Sequence, residues 1–524
     1  MEGGVKPVNP SVIAPEIWKP DLEEFRKKTK EFYAGEMDKG AYKSFSGYYG
    51  SYAQKGGKAN MLRLRMPGGV VTKERLAFTA GVIKKYRIQR VHFTTCQTIQ
   101  LHDLGPDAAS AIMEEALEAG IVTLGGGGDY PRNVMCSPLS GVEMDEYFDV
   151  LPWALAAGDY LLTFIKAEKM PRKLKVGFSN SKRNLTHATY RDLGFAARPD
   201  GTFDVYSAGG LGSNPKFGVK VAEAVPPEKI LYYIKAMWLT FRAYGNYQSR
   251  AKARTRFMQD SLGGPENYKK AFDEKLREVL DSKKNLDIAP KRLPDAKMGD
   301  QSSIDHPRAL PQKQPGLYTV VWHPIGGMAD PDTVCALNDA LASVSHAQLR
   351  LAPDESAYIV NLTGSEAQKI LELTKDSAGT LFETSVSCIG AGTCQQGLRD
   401  SQALLSSCVE AVRKAKIPDG ALPQIHISGC PSSCGTHQTG SIGFRGGAKK
   451  VDGVMEPAFS LFVNGNERQG CEAMGREVGV ILQSAIPDLL VKLGKVVAKS
   501  GMDYERWNEK NPEAIDTVAK EFLV

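Results

Sequence analysis

The sequence predicts an α+β fold, a mixed α/β arrangement, that is internally duplicated. A strand-like segment, a Gly-Gly turn, a helix, a pair of strands and a second helix follow one another from residue 60, and the same order recurs from residue 318. In each copy the first strand is followed by a proline and two glycines, which mark a tight turn. We expect the two copies to pair about a pseudo-twofold axis and to leave a cleft between them.

The spacing of apolar residues predicts the individual elements. In the first copy they are a strand over 60–66, a helix over 73–86, an alternating segment over 91–102 and a helix over 106–119. In the second they are a strand over 318–322, a helix over 331–344, strands over 347–351 and 357–362 and a helix over 364–375. Elsewhere we predict helices near 20–34, 227–242, 399–415 and 472–500, a strand over 174–178, a charged helical run over 247–283 and a Pro-rich linker over 284–316.

Composition limits the class of protein. The 524 residues are 42% apolar and 24% charged, which is enough to bury a large core. The net charge of +6 favours an anionic substrate or an acidic protein partner over nucleic acid, because no basic block is interleaved with aromatic residues. Residues 1–10 contain no apolar signal core and no apolar run approaches membrane-spanning length, so we expect a cytoplasmic protein with no membrane partner.

Four cysteines stand in two short patterns in the last third of the chain. Cys388 and Cys394 form C-x5-C, and Cys430 and Cys434 form C-x3-C, both in stretches rich in glycine and serine. Four thiolates are what a [4Fe–4S] cluster needs. Ordinary buried or disulfide cysteines are one alternative, although nine cysteines is an odd number. Zinc is the other, although its ligands are usually spaced by two to four residues.

Several cationic residues lie next to turn signals. Arg63 and Arg65 precede Pro-Gly-Gly, Arg132 follows a proline, and Lys173 and Lys175 lie two residues apart in a strand-like segment. Residues two apart on a strand share a face, so each pair can point to one place. Such cations can form a site for a small dianion, whereas the alternative is a set of solvated surface charges.

Together these motifs resemble the siroheme-dependent nitrite/sulfite reductase family over nearly the whole chain. The two cysteine pairs look like that family's cluster signature. Arg63-Leu-Arg-Met-Pro-Gly-Gly, Arg132-Asn-Val-Met-Cys and Lys173-Leu-Lys are similar to its basic motifs, and the duplicated module is a family feature. The resemblance implies two ferredoxin-like half-modules plus two α/β domains that bind siroheme and the cluster. The expected segments are a wrap over 1–50, half-modules over 51–125 and 311–380, a siroheme and substrate domain over 126–310 and a cluster domain over 381–524.

The resemblance also implies roles for particular residues. The cluster ligands would be Cys388, Cys394, Cys430 and Cys434, the last of which is shared with the siroheme iron. The substrate cations would be Arg63, Arg132, Lys173 and Lys175. The residues expected to bind siroheme are Thr94, Thr95, Gln97, Gln100, His102, Gly209, Gly210, Leu211, Gly212, Asn246, Arg250 and Arg254.

The activity implied is the six-electron reduction of sulfite to sulfide. The family's sulfite reductases resemble Lys-x-Lys where its nitrite reductases tend to have Lys-x-Asn, and a second lysine suits the dianionic sulfite. The alternatives are reduction of nitrite to ammonia, a subunit of a dissimilatory sulfite reductase, which usually carries an inserted ferredoxin domain not seen here, and a non-catalytic iron–sulfur relay, which would not need four converging cations.

The electron donor is expected to be a separate protein. The sequence has no Gly-x-Gly-x-x-Gly nucleotide motif in a strand–turn–helix context, and its basic balance fits an acidic ferredoxin, with a separate flavoprotein subunit as the alternative.

The chain departs from the family pattern at three points. Cys96 stands where the family often has arginine, Ser432 stands where asparagine is common in the Cys-Pro-x-x-Cys loop, and Arg350-Leu-Ala-Pro-Asp-Glu lacks an amide-rich segment. We expect siroheme to bind in a locally altered pocket. Cys136, Cys335, Cys408 and Cys471 are interpreted as structural, and Cys96 as lying near the macrocycle. His426 and His437 are expected to pack beside the second cysteine pair or to hydrogen-bond its surroundings rather than to bind metal.

Overall fold

The computed structural model describes residues 13–167, 169–290 and 297–524. The described chain divides into two compact units. The first contains residues up to 210, 214–322 and 329–375, and the second contains 211–213, 323–328 and 376–524. Residues 1–10, which carry the expectation about a signal segment, and residues 291–296 of the expected linker lie outside the described residues.

Up to residue 375 the chain forms ten helices and fifteen strands within the described ranges. The helices are α1 (Pro15–Tyr33), α2 (Lys39–Ser46), α3 (Lys73–Tyr86), α4 (Pro106–Glu118), α5 (Leu151–Leu162), α6 (Ile230–Tyr244), α7 (Phe257–Ser261), α8 (Pro265–Asp281), α9 (Pro331–Leu341) and α10 (Gly364–Leu373). The strands are β1 (Ser51–Ala53), β2 (Asn60–Arg65), β3 (Val70–Val71), β4 (Val91–Phe93), β5 (Thr98–Leu104), β6 (Met135–Cys136), β7 (Val176–Ser179), β8 (Leu193–Ala197), β9 (Phe203–Ser207), β10 (Val219–Val225), β11 (Ala309–Pro311), β12 (Tyr318–Trp322), β13 (Met328–Ala329), β14 (Gln348–Leu351) and β15 (Ala357–Leu362).

The duplicated half-modules form two five-stranded sheets. Their strand orders are β1-β2-β5-β4-β13 and β11-β12-β15-β14-β3. The short strand β3 of the first half-module pairs with β14 of the second, with Val71 opposite Leu349. Equivalent residues cap equivalent helices: Thr72 accepts a hydrogen bond from the third residue of α3, and Asp330 does the same for α9. The predicted internal duplication is therefore confirmed.

The third sheet belongs to the first unit and lies in the segment between the half-modules. Its order is β10-β9-β8-β7-β6, with β6, β7 and β8 parallel and β9 and β10 antiparallel. Phe178 and Phe195 stack on neighbouring strands, and α5, α6 and α8 contribute to the same buried core. The sheet holds the amino end of β7, and with it Lys175, at a fixed place.

The second unit contains the fourth sheet and four helices among the described residues. The strands are β16 (Val386–Ser387), β17 (Ile425–Ser428), β18 (Ile442–Val451), β19 (Val454–Val463) and β20 (Arg476–Leu482), in that order across the sheet. The helices are α11 (Ser401–Lys414), α12 (Ile486–Lys499), α13 (Tyr504–Lys510) and α14 (Ala514–Ala519). Strands β16, β17 and β18 are parallel, and β18, β19 and β20 are antiparallel.

The pair of strands predicted after the first helix is confirmed: the segment 91–102 forms a hairpin whose strands turn at residues 94–97, where Gln97 has a positive φ of 53°. Two other element predictions were wrong. The helical run over 247–283 is broken at Gly263-Gly264-Pro265, because both glycines have positive φ and the proline begins a new helix. The helix over 472–500 begins only at residue 486, and β20 occupies the preceding residues.

Within the described residues, helices with the length and apolar character needed to traverse a lipid bilayer are absent.

Candidate active site and cofactor loops

A glycine-rich loop in the first unit brings two of the predicted cations together. Arg63 on β2 and Arg132 just before β6 both donate to the carbonyl oxygen of Gly126, Arg132 at 2.8 Å, and Arg132 also donates to Gly128 O at 2.9 Å. The two guanidinium groups are therefore fixed next to each other by backbone carbonyls. No carboxylate is involved in these contacts, which leaves the positive charge available to an anion.

Arg65 lies beneath this pair. Its side chain is 4% exposed and donates to Leu124 O at 3.2 Å and to Pro131 O at 3.0 Å. Burial lowers the pKa of Arg65 to about 9, and the charges of Arg132 and Arg63 add to the effect. Arg65 thus supports the loop and concentrates positive charge behind the two outer arginines.

Lys175 joins the cluster from the segment that leads into β7. Its backbone N–H donates to Asp192 Oδ2 at 2.8 Å, and the charge of its side chain acts on the thiol of Cys96. Burial by itself would raise the pKa of that thiol, but Lys175, Arg191 and Arg63 together lower the pKa of Cys96 to about 6. The structure therefore brings Arg63, Arg132 and Lys175 together around Cys96. Lys173 precedes Lys175 by two residues, and its role stays a prediction.

Arg191 is a member of the cluster that the sequence reasoning missed. It lies in the loop between β7 and β8, where its Nε donates to Thr186 O at 2.7 Å and its second terminal nitrogen contacts His187 Nδ1 at 3.2 Å. Thr-His followed by a Gly-Phe strand occurs at Thr186 and again at Thr436, so an internal repeat marks this loop, but it does not single out Arg191, whose counterpart in the second copy is Ser441.

The hairpin of β4 and β5 positions the residues expected to contact the macrocycle. Thr94 Oγ1 lies 2.7 Å from Thr98 Oγ1 and accepts from the Cys96 amide. Gln100, in the amide orientation that satisfies its neighbours, accepts from Arg63 at 2.8 Å. His102 is 1% exposed, and burial followed by the charges of His92, Arg90 and Arg63 holds its pKa well below the usual value.

Gln97 has a different environment from the one expected. It is fully buried, its Nε2 donates to Cys136 O at 2.7 Å and to Leu351 O, and its Oε1 accepts from Cys136 N at 2.9 Å. The amide ties the hairpin turn to β6 and β14. This geometry gives Gln97 a structural role in the first unit, and its binding of a cofactor stays a prediction.

The remaining predicted siroheme residues fall into two groups. Asn246 accepts from Gln248 N and Ser249 N, which closes a turn, and Arg250 pairs with Asp129 at 2.7 Å. Arg254 donates to both carboxylate oxygens of the buried Asp192 at 3.0 Å. Thr95, Gly209 and Gly210 belong to the first unit, whereas Leu211 and Gly212 belong to the second, where Gly212 exchanges two hydrogen bonds with Gln438.

The second unit brings the two cysteine loops against each other. Gly429 N donates to Cys388 Sγ at 3.2 Å, and Leu398 N and Arg399 N both donate to Gly429 O. A Cβ on Gly429 would lie 2.4 Å from Arg399 O, so only glycine allows this approach. The loop that holds Cys394 is thereby joined to the loop that holds Cys430.

One cysteine sulfur has a backbone contact that suits a cluster, whereas the pKa of another opposes the thiolate form that ligation requires. Gln396 N donates to Cys394 Sγ at 3.4 Å, and burial, followed by the charge of Cys434, raises the pKa of Cys388 to about 12. In residues 13–167, 169–290 and 297–524, no three His, Cys, Asp or Glu side chains are arranged to hold a single metal ion. The structure therefore brings the two loops together, and the ligation of a cluster by all four cysteines stays a prediction.

The free cysteines outside these loops differ from one another. Cys136, Cys335 and Cys408 are buried, as expected for structural residues, whereas Cys471 is exposed, so its interpretation as a buried structural residue was wrong. His437 is buried against Phe462 at 5.0 Å, and burial lowers its pKa to about 3.

Two family descriptions match the chain. The description "Nitrite and sulphite reductase 4Fe-4S domain" matches residues 127–280, and "Nitrite/Sulfite reductase ferredoxin-like half domain" matches residues 52–119. The chain belongs to the nitrite and sulfite reductase family. It is an oxidoreductase, and the cofactors of this family are a siroheme and a [4Fe–4S] cluster. The four cysteines lie outside the two matched stretches.

Two curated relatives indicate the range of activities in the family. The ferredoxin–nitrite reductase of Synechococcus elongatus is 25% identical over 83% of this chain and 85% of its own length. The sulfite reductase [ferredoxin] 1 of Mycolicibacterium paratuberculosis is 25% identical over 77% of this chain and 73% of its own length.

Among solved structures, the Mycobacterium tuberculosis NirA protein covers 93% of this chain and 93% of its own chain, with a TM-score of 0.72 and 21% identity. That likeness shows the fold.

The described residues fit both cofactors. Siroheme is rich in carboxylates, and the first unit holds buried nitrogen atoms that lack a hydrogen-bond partner within the described residues. They are Arg132 Nε, His102 Nδ1, Arg254 Nε, Arg256 Nε and Arg256 Nη1. In the second unit, backbone N–H groups already point at two cysteine sulfurs, as iron–sulfur clusters require.

Proposed function

We propose that this protein reduces sulfite to sulfide with electrons from an external donor. The observation that carries the proposal is the cluster of Arg63, Arg132 and Lys175, reinforced by Arg191, in the first unit. A dianion gains more than a monoanion from each added cation, because the attraction scales with the product of the charges.

The residues of the chain would have the following roles in the reaction. When bound, the siroheme and cluster supply the electrons one at a time and an iron atom that binds the anion. His102 and Arg254 would hold siroheme carboxylates, and Cys388, Cys394, Cys430 and Cys434 would hold the cluster. Arg63 and Arg132 would orient the oxyanion, and their charges would stabilise each oxygen as it accepts protons and leaves as water. Lys173 and Lys175 would deliver protons and complete the cation set.

Reduction of nitrite to ammonia is the second candidate. The relatives from Synechococcus elongatus and from Zea mays, the latter 27% identical over 77% of this chain, are both ferredoxin–nitrite reductases. Lys175 favours sulfite, because that second lysine supplies a charge that nitrite needs less.

The deciding experiment measures kcat/KM of the holoprotein for sulfite and for nitrite with a reduced viologen dye, and identifies the products. We expect a higher kcat/KM for sulfite, with sulfide as the product. Lys175→Asn should move the ratio of the two kcat/KM values toward nitrite. A higher value for nitrite in the unaltered protein, or a ratio that Lys175→Asn leaves unchanged, would refute the sulfite assignment.

We propose that the electron donor is an acidic ferredoxin. We place the protein in the cytoplasm, where cysteine thiolates persist. The net charge of +6 supports an acidic donor. The rate with ferredoxin should fall steeply as salt rises, whereas the rate with the dye should not. Equal salt dependence for both donors would exclude an electrostatic ferredoxin complex.

A further inference from the structure

Cys96 is held at the centre of the cation site by its backbone. Asn133 Nδ2 donates to Cys96 O at 3.1 Å and to Gln97 O at 3.0 Å, and the Cys96 N–H donates to Thr94 Oγ1 at 3.3 Å. The side chain is partly exposed. The backbone contacts therefore fix where Cys96 lies, and part of the residue remains accessible.

The groups that act most strongly on the Cys96 sulfur are all cationic, and they come from three different segments. Burial of the sulfur opposes its ionisation, whereas the charges of Lys175 before β7, Arg191 in the loop after β7 and Arg63 on β2 favour it, and the Cys96 charge acts in turn on Arg132. At neutral pH these cations favour the thiolate, whose pKa is about 6. The thiolate of Cys96 is thus a negative charge of the protein itself, within the cation site proposed to bind the substrate anion.

A second observation indicates that a polar ligand belongs here. Asn133 is 4% exposed, and while its nitrogen binds the Cys96 loop, its Oδ1 is buried without a hydrogen-bond partner in the described part of the chain. Buried polar atoms are normally paired, so an unpaired acceptor at this place suits a ligand that carries a proton.

We propose that Cys96 is an acid–base member of the anion site, which takes up a proton when the anion binds and holds it beside the anion's oxygen atoms. An anion drawn to Arg63, Arg132 and Lys175 lies close to the thiolate, and two negative charges repel each other. Protonation of the sulfur removes the repulsion and leaves an S–H donor at the site. The anion and one proton thus enter together.

The proton can then serve the proposed reduction, on which this part of the inference rests. The S–H bond breaks, an O–H bond forms on an oxygen of the substrate, and the thiolate that remains is again stabilised by Lys175. Solvent returns the proton before the next oxygen leaves. No electrons pass through Cys96.

Binding must therefore depend on pH in a defined direction. Between the pKa of the free thiol and the higher pKa in the complex, each rise of one pH unit should weaken anion binding up to about tenfold. Nitrite is the suitable probe, because it remains a monoanion across this range whereas sulfite itself gains a proton.

The first test is calorimetric titration of the holoprotein with nitrite at pH 7, in two buffers that differ in ionisation enthalpy. We expect uptake of roughly one proton per site in the unaltered protein and almost none in Cys96→Ser. No uptake in the unaltered protein, or equal uptake in both proteins, would overturn the proposal.

The second test does not depend on any variant. The rate of iodoacetamide alkylation at Cys96, followed by mass spectrometry on the tryptic peptide 91–132 in which it is the sole cysteine, reports the thiolate fraction against pH. Nitrite should move the midpoint of this profile upward by at least one pH unit. A lower plateau with an unchanged midpoint would mean steric shielding and would contradict proton uptake. Alkylation of the exposed Cys471 serves as the internal control.

The results of these two tests can be distinguished from the results that test the proposed function. A protein that takes up the proton but reduces neither sulfite nor nitrite would retain the Cys96 inference as an anion-binding property and lose the reductase assignment. A protein that reduces sulfite without proton uptake would lose the inference alone.

Discussion

The β6–β10 sheet of the first unit and the β16–β20 sheet of the second have the same architecture and different chemistry. Both run parallel across the first three strands and antiparallel thereafter. Ser137 N donates to Phe178 O at 3.1 Å after β6, and Cys388 N donates to Ile427 O at 3.2 Å after β16. Gly194 and Gly443 occupy equivalent places in the third strands, each opposite the second residue of the preceding strand. The internal duplication thus extends to the α/β domains.

The two sheets differ in the side chains that their loops present. In the first copy the segments around β7 present Lys175 and Arg191, and Ser137 stands where the second copy has Cys388. In the second copy the equivalent loop contains Cys430 and Cys434. Under the proposed function, a common backbone would support an anion site in one copy and a cluster site in the other, because loops can change while the sheet that holds them does not.

The largest expected effect comes from the position that Cys388 and Ser137 share. Cys388→Ala should abolish turnover and lower the iron content, since it removes one of four thiolates. Ser137→Ala is the matched control, because Ser137 is buried and its hydroxyl has no partner in the described residues. We expect the control to keep its iron and to change stability by less than about 0.5 kcal/mol. Loss of iron from both variants would mean that the two positions share a packing role.

The next effect concerns the cations of the first copy. Lys175→Met should reduce kcat/KM about 100-fold to 1000-fold, because it removes one preorganised charge from the oxyanion. The exposed Lys450 on β18 provides a matched substitution in the other copy, and Lys450→Met should leave steady-state kinetics unchanged. A decrease in kcat/KM of less than about threefold in Lys175→Met would contradict the proposed role of the cation site in stabilising the oxyanion.

A stability effect distinguishes the buried ion pair of the first unit from an exposed pair of the second. Burial would raise the pKa of Asp192, but Arg254, Thr255 and the Lys175 amide hold it below the usual value. Arg254→Met should therefore cost about 3–5 kcal/mol at pH 7. Arg476→Met, which breaks the exposed pair with Asp516, should cost at most about 1 kcal/mol.

The pH dependence of this loss has a definite sign. The stability that Asp192 contributes is complete above the carboxyl's unfolded pKa and disappears as pH falls through its lower folded pKa. Thermal unfolding should therefore show a gap between Arg254→Met and the parent that is wide at pH 7 and narrower near pH 3. A gap that does not change with pH would mean that the loss comes from packing.

The smallest expected effect concerns the backbone geometry that the two sheets share. A Cβ at Gly194 would lie 1.7 Å from Ala188 O, and one at Gly443 would lie 1.8 Å from His437 O. Each glycine-to-alanine change should cost about 3 kcal/mol, measured by denaturant unfolding. Gly81→Ala in α3, where no atom lies within 4 Å, should instead stabilise by about 0.5–1 kcal/mol. Unequal losses at the two sheet positions would weaken the case for equivalence.

The sequence allowed the half-modules to be predicted closely, because their helices and strands alternate with clear turn signals. The helix over 73–86 and the strands over 318–322 and 357–362 have the predicted bounds. The two α/β sheets were largely missed, since buried strands such as β8 and β17 are short apolar runs that periodicity cannot distinguish from helix segments.

Among the candidate site residues, local motifs identified Arg63, Arg132 and Lys175, which the structure brings together. The structural role of Gln97 and the presence of Arg191 could not be predicted from spacing, because both depend on contacts between distant segments. Gln97 binds the backbone of Leu351, and the charge of Arg191, in the loop between β7 and β8, acts on Cys96.

The division of labour between the two copies is tested most directly by acid-labile sulfide per chain in Lys175→Met and Cys388→Ala. We expect the lysine variant to contain as much labile sulfide as the unaltered protein and the cysteine variant to contain almost none. Equal loss from both variants, or full sulfide content in Cys388→Ala, would contradict the account.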